Sequence, residues 1–173
     1  MAPAPTRSLV LRAQSGEREA FDALLRDIGP ALLRYVTRVT NDRALAEDVV
    51  QETFIAIVRK IRWLSDASLF RPWAYRIASR EAFRIMRKRR RGEPSGELEE
   101  LPGIEPAHAD PWLRERLLAS LERLSPASRA VITLHYLEEM PLAEIAGVLD
   151  LALGTVKSRL AYGLARLRKE NPS

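Results

Sequence analysis

Apolar residues recur along this chain at spacings of three and four, and no sustained alternation of apolar and polar positions interrupts them. That period belongs to an amphipathic helix rather than to a strand, so the pattern predicts an all-α fold. Phe21, Leu24, Leu25, Ile28, Leu32, Tyr35, Val36 and Val39 form one stripe. Gly29-Pro30 lies inside it; proline has no amide proton and crowds the preceding turn, so a break or kink is expected there. Asn41-Asp42 then offers an N-cap for the next helix. Over 44–61 a helical projection puts Ala46, Val50, Phe54, Ile57 and Ile61 on a core face, with Asp48, Gln51, Glu52, Ile55 and Arg59 opposite. This second stripe mixes acids with one exposed aliphatic residue, which suits docking on a protein surface; a solvated face is the plain alternative.

The pattern stops over 92–111, where Glu93, Glu97, Glu99, Glu100, Glu105 and Asp110 stand among prolines and glycines without a single Lys or Arg. Such composition predicts a flexible acidic linker, able to span roughly 25 Å as a coil. The chain therefore divides into a helical module over 1–91, the linker over 92–111, and a second helical module over 112–173. In the second module Leu113, Leu117, Leu121 and Leu124 resume helical spacing, and Ser125-Pro126 supplies a cap and a first-turn proline.

Helices over 141–149 and 154–169, separated by a tight turn over 150–153, have the layout of a helix-turn-helix. In the longer one Val156, Leu160, Leu164 and Leu167 share a face, while Thr155, Ser158, Arg159, Tyr162, Arg166 and Lys169 gather opposite and Lys157 flanks the core within reach of a phosphate. A basic, hydroxyl-bearing face on an anchored helix meets the demands of the DNA major groove, since Arg and Lys engage guanine edges and hydroxyls hold phosphates. In the first module, the helix after Pro72 places Trp73, Arg76, Arg80, Phe83, Arg84 and Arg87 on one side, against Ala74, Ile77, Ala78, Ala82 and Ile85 on the other. Interleaved rings and cations are the means by which proteins hold unpaired nucleic acid. The run from Arg87 and Lys88 through Arg89, Arg90 and Arg91 extends that charge. The plain alternative makes Trp73 and Phe83 core residues, and Trp73 fits either place equally well.

Composition adds exclusions. Of 173 residues, 46% are hydrophobic and 29% charged, which is ordinary for a folded chain. The net charge is only +5, so its distribution carries the argument about partners. Absence of cysteine removes disulfides and thiolate metal sites. No apolar run approaches the length of a membrane span, and Met-Ala-Pro-Ala-Pro at the N-terminus lacks the plan of a signal peptide, so a cytoplasmic protein without membrane insertion is expected. His108 and His135 belong to no metal or nucleophile constellation and no glycine-rich phosphate loop is present. No cofactor, no metal and no catalytic site are expected.

Three segments carry a resemblance: Ala46-Glu-Asp-Val-Val-Gln-Glu-Thr-Phe54, Phe70-Arg-Pro-Trp-Ala-Tyr-Arg-Ile-Ala78 with its basic tail, and Glu144-Ile-Ala followed by Gly154-Thr-Val-Lys-Ser-Arg-Leu160. In this order, with this linker, the chain resembles the extracytoplasmic-function group of bacterial sigma factors, promoter-recognition subunits of RNA polymerase. The resemblance implies that the first module is sigma region two and the second sigma region four. It implies that Asp48, Gln51, Glu52 and Ile55 dock on core RNA polymerase. Ser65, Asp66, Ser68 and Arg71 in the loop over 65–71, with Trp73, Arg76, Arg80, Arg84, Arg87 and Lys88, would capture the melted promoter element. Thr155, Lys157, Ser158, Arg159, Tyr162 and Arg166 would read the upstream element as duplex, and an anti-sigma factor would be a partner. The chain departs from the family pattern at Ser79-Arg80, where Arg-Asn is frequent, at Arg84 where Asp is, at Asp150 where the turn has glycine, and at Tyr162 where a basic residue is common.

Two other readings fit the residues alone. A duplex-only helix-turn-helix regulator would use its first module for sensing or dimerisation, and a helical adaptor would use the acidic stripe and bind no DNA.

Overall fold

The computed structural model describes residues 4–89 and 121–170, and all regular structure among them is helical. The N-terminal half comprises α1 (Ala4–Gln14), α2 (Arg18–Thr40), α3 (Arg43–Lys60) and α4 (Phe70–Arg89), with two short 3-10 turns, Ile61–Trp63 and Ala67–Leu69, between the last two. The C-terminal half comprises a 3-10 turn, Leu121–Arg123, then α5 (Pro126–Ile132), a π-helical turn (Thr133–Leu137), α6 (Leu142–Leu149) and α7 (Leu153–Glu170). The acidic linker, Arg90, Arg91, His108, Leu113 and Leu117 lie outside the described residues, as do the side chains of Leu167 and Lys169.

The expected break at Gly29-Pro30 does not occur: α2 runs unbroken through Pro30. An interior proline costs about 3 kcal/mol, whereas each fully buried aliphatic side chain contributes roughly 1.5–3 kcal/mol. Ala20, Leu24, Ile28, Leu32, Tyr35, Val36 and Val39 are all buried along this one helix, so packing outweighs the lost hydrogen bond. Gly29 has a different function, because a Cβ there would lie 3.0 Å from Cζ of Phe54. The glycine admits the aromatic ring of α3. Asn41 ends α2 in the left-handed conformation, and Asp42 starts α3 by accepting the Leu45 amide at 2.9 Å. That hydrogen bond, with Arg89 at 3.1 Å, holds the Asp42 carboxyl below the usual carboxylate range.

Ser125 and Pro126 begin α5 as expected, with the Ser128 amide donating to the Ser125 hydroxyl. Leu121 and Leu124 are buried beneath it. Asp150 ends α6 at φ 58°, the left-handed turn that glycine usually fills and that Asp tolerates. The Leu151 amide closes this turn on the Ala146 carbonyl at 3.0 Å. The two halves share one contiguous buried cluster, with α4 packed on α6 and α2 on α5.

Candidate functional site

On α3, Leu45, Ala46, Val49, Val50, Thr53 and Ile57 are buried, which leaves Asp48, Gln51, Glu52, Ile55 and Arg59 facing out. Thr53 turns its hydroxyl onto the Val49 carbonyl at 2.7 Å and can therefore sit in the core. Ile55 is 44% exposed, and Val58, one turn on and not singled out by the projection, is 47% exposed. The stripe thus combines acids with an uncovered aliphatic pair, and nothing among the described residues packs over it as a helix does over α4.

The turn that follows is built locally. Gln14 reaches from α1 to donate to the carbonyls of Ile61 and Leu64 at 2.9 and 2.7 Å. Asp66 accepts the amide and the hydroxyl of Ser68 at 2.8 and 2.6 Å, which keeps its carboxyl below the ordinary range. Ser65 and Asp66 are exposed and Ser68 is half-buried.

Helix α4 buries Phe70, Ala74, Tyr75, Ala78, Ser79 and Ala82. Ile77 and Ile85, expected in the core, are only half-buried, because Tyr75 and Ser79 occupy the centre of the buried face instead. Ser79 donates to the Tyr75 carbonyl and receives the Tyr35 hydroxyl, each at 2.7 Å. Burial raises the Tyr35 phenol well above its ordinary pKa. One family departure, Ser79, therefore belongs to the packing. Trp73 is half-buried, tilted against Phe70 with ring centroids 6.2 Å apart, and Phe83 is also half-buried against the core. Neither ring is freely presented, and both pack partly against the core. Arg84, Arg87 and Lys88 are exposed, and Arg84 pairs with Glu81 at 2.8 Å.

The cations at the start of this face are engaged by the C-terminal half. Glu138 follows the π-helical turn and is 7% exposed. Arg71 donates to its carboxylate at 2.9 Å and to its backbone carbonyl at 3.0 Å, and the Tyr75 hydroxyl donates to the same carboxylate oxygen. Burial and this bond push the Tyr75 phenol above its ordinary pKa. Next along α4, Arg80 meets Asp150 at 3.2 Å and Arg76 approaches it at 3.6 Å. Sequence reasoning missed Glu138, since helical periodicity marks apolar residues for burial and is silent on an acid buried by tertiary contact.

On α7, Val156, Leu160 and Leu164 are buried, and Lys157 and Arg166 are exposed. Thr155, Ser158, Arg159 and Tyr162, expected on an open face, are half-buried. The projection assumed packing along one line, whereas α7 packs against both α5 and α6. Partial burial lowers the Arg159 guanidinium pKa from its ordinary value. The Ser158 hydroxyl donates to the Thr155 carbonyl at 3.0 Å, and Arg166 donates to the Tyr162 hydroxyl at 3.3 Å.

His135 is half-buried with Nδ1 3.1 Å from the Met140 carbonyl, and among the described residues no cluster of His, Cys, Asp or Glu is arranged to hold a metal. No helix among them is long and apolar enough to cross a membrane.

Comparison with known proteins agrees with this layout. The family model for Sigma-70 region 2 matches residues 24–92, and that for Sigma-70, region 4 matches 114–167. The chain is 33% identical over 172 residues to an ECF RNA polymerase sigma-E factor of Haemophilus influenzae, covering 89% of this chain and 88% of that one. It is 28% identical over 161 residues to the RNA polymerase sigma factor CarQ of Myxococcus xanthus, covering 91% and 92%. Among solved structures, CnrH in complex with the cytosolic domain of CnrY is similar at a TM-score of 0.70 and 26% identity, covering 96% of each chain. The sigma factor RpoE of Bartonella quintana, in complex with the anti-sigma factor NepR, is similar at 0.67 and 27%, covering 86% of this chain and 94% of that one. With both regions matched in chain order and relatives aligned along most of its length, the chain belongs to the sigma-70 family as an extracytoplasmic-function RNA polymerase sigma factor, which directs core polymerase to specific promoters and aids their opening.

Proposed function

We propose that the work is divided among three surfaces. The α3 stripe of Asp48, Gln51, Glu52 and Ile55, with Val58, docks on core polymerase. The turn residues Ser65, Asp66, Ser68 and Arg71, together with Trp73, Arg76, Arg80, Arg84, Arg87 and Lys88 on α4, hold the melted promoter strand. Thr155, Lys157, Ser158, Arg159, Tyr162 and Arg166 on α7 read the upstream duplex. The functional units are 1–91 and 112–173, joined by the acidic segment 92–111. The protein acts by binding in the cytoplasm, and nucleotidyl transfer is left to polymerase. An anti-sigma factor holds it inactive, a reading supported by the Bartonella quintana neighbour solved with one.

The observation that carries this division is the placement of two cationic helical faces on α4 and α7, in different halves of the chain, beside an α3 face where Asp48 and Glu52 flank the exposed Ile55 and Val58 and the basic residues Arg59 and Lys60 are confined to the last turn. One face suits unpaired nucleic acid, one suits duplex and one suits protein. The test is transcription by bacterial core polymerase on a promoter library. Added protein is expected to create new start sites that share an upstream and a start-proximal element; absence of any new start would overturn the reading.

A further inference from the structure

Two leucines stand two residues apart at the turn of the helix-turn-helix, and the fold treats them differently. Leu151 packs half-buried against the core, its amide closed on the Ala146 carbonyl. Leu153, the first residue of α7, is 42% exposed. Its neighbours Ala152 and Gly154 are exposed as well, and a Cβ placed at Gly154 would meet nothing within 4 Å. Side chains on a helix lean toward its N-terminus, so a leucine in the first position overhangs the end of the helix rather than the core beneath it. The backbone under it is anchored, because the Val156 amide donates to the Ala152 carbonyl at 3.1 Å and the Val156 side chain is fully buried. The tip of α7 is therefore an apolar projection with only small residues beside it.

A lone exposed leucine is ordinary on a protein surface. This one occupies the end that enters the major groove when a recognition helix docks, where the N-terminal residues meet base edges. The polar groups next to it are partly committed elsewhere: Ser158 donates its hydroxyl proton to the Thr155 carbonyl at 3.0 Å, and Thr155 and Arg159 are half-buried. The first turn of α7 holds no acid that would repel DNA. Leucine can neither donate nor accept a hydrogen bond, and the one apolar group on the major-groove edges is the C5-methyl of thymine.

We propose that Leu153 is a specificity-determining residue that packs on the C5-methyl of a thymine, on either strand of the upstream element. The proposal rests on the assignment of α7 to the upstream duplex, and goes further in naming the base group that its tip reads. A cytosine at the same place would turn an amino donor toward the leucine, which cannot accept it, and would leave that donor unpaired. A uracil there would keep the pairing edge of thymine and lose only the buried methyl, which weakens binding about three- to fivefold.

The test uses the full chain with core polymerase on the strongest promoter recovered from the library. Each thymine of its upstream element, on both strands, is replaced in turn by uracil, and affinity is measured by competition. At one thymine the replacement is expected to weaken binding about three- to fivefold. In Leu153→Ala, with the fold checked by circular dichroism, that penalty should vanish within error. Leu153→Met keeps an apolar side chain of similar reach and should retain most of it. Lys157→Ala, which removes an exposed cation within reach of a phosphate, should weaken every template alike and leave the penalty in place. A penalty that persists unchanged in Leu153→Ala would overturn the proposal, as would new start sites from a promoter indifferent to uracil at every upstream position. Absence of any new start site in the library would overturn the functional reading, and the proposal with it.

Discussion

The outer faces of α3 and α4 make an instructive pair. Both belong to the same helical half and both rest on the same helix, α2. The α3 face keeps Asp48, Gln51, Glu52 and Ile55 exposed, whereas the α4 face has Arg71, Arg76 and Arg80 drawn into contacts with Glu138 and Asp150. On the proposed division the α3 face has to find a large enzyme, and it gains from being open. A cationic face attracts phosphate largely irrespective of sequence, and the contacts with Glu138 and Asp150 offset part of that charge on α4.

Two substitutions sharpen that contrast. The larger effect is expected at Tyr75→Phe, which removes a buried hydroxyl donating to the Glu138 carboxylate. A hydrogen bond to a charged group contributes about 1.5–3 kcal/mol, so urea unfolding of the free chain should show a loss in that range, with polymerase recovery in pull-downs undiminished. A loss of polymerase recovery equal to the loss of stability would erase the distinction between the faces. The smaller effect is expected at Glu52→Lys, on the open face. Polymerase affinity, measured by titration of labelled protein, should fall by on the order of 1 kcal/mol while the unfolding midpoint stays within error. Equal affinity for both proteins would remove Glu52 from the docking surface.

Periodicity made the helices legible wherever one face is continuously apolar, as in α2, α3 and the buried stripe of α7. Caps were legible where a short polar side chain precedes an apolar run, as at Asp42 and Ser125. Pro30 misled because propensity is local, while the burial of seven residues of α2 is tertiary and larger. The site was harder to read. Helical projection placed Arg76 and Arg80 on a basic face and the family resemblance added Arg71, but no one-dimensional signal said that acids far along the chain would meet them. Ser79 likewise reads as a polar helix position until Tyr35 is seen to bond it in the core. Family resemblance pointed to the α3, α4 and α7 surfaces, and the tertiary contacts show Arg71, Arg76 and Arg80 of α4 paired with Glu138 and Asp150.

The most direct measurement of the contrast is transcription by core polymerase on a promoter library, with Glu52→Lys run beside the unsubstituted chain over a range of polymerase concentrations. New start sites are expected with the unsubstituted chain, and Glu52→Lys should need more polymerase to reach the same yield. Equal yields for both proteins at every polymerase concentration would contradict the account.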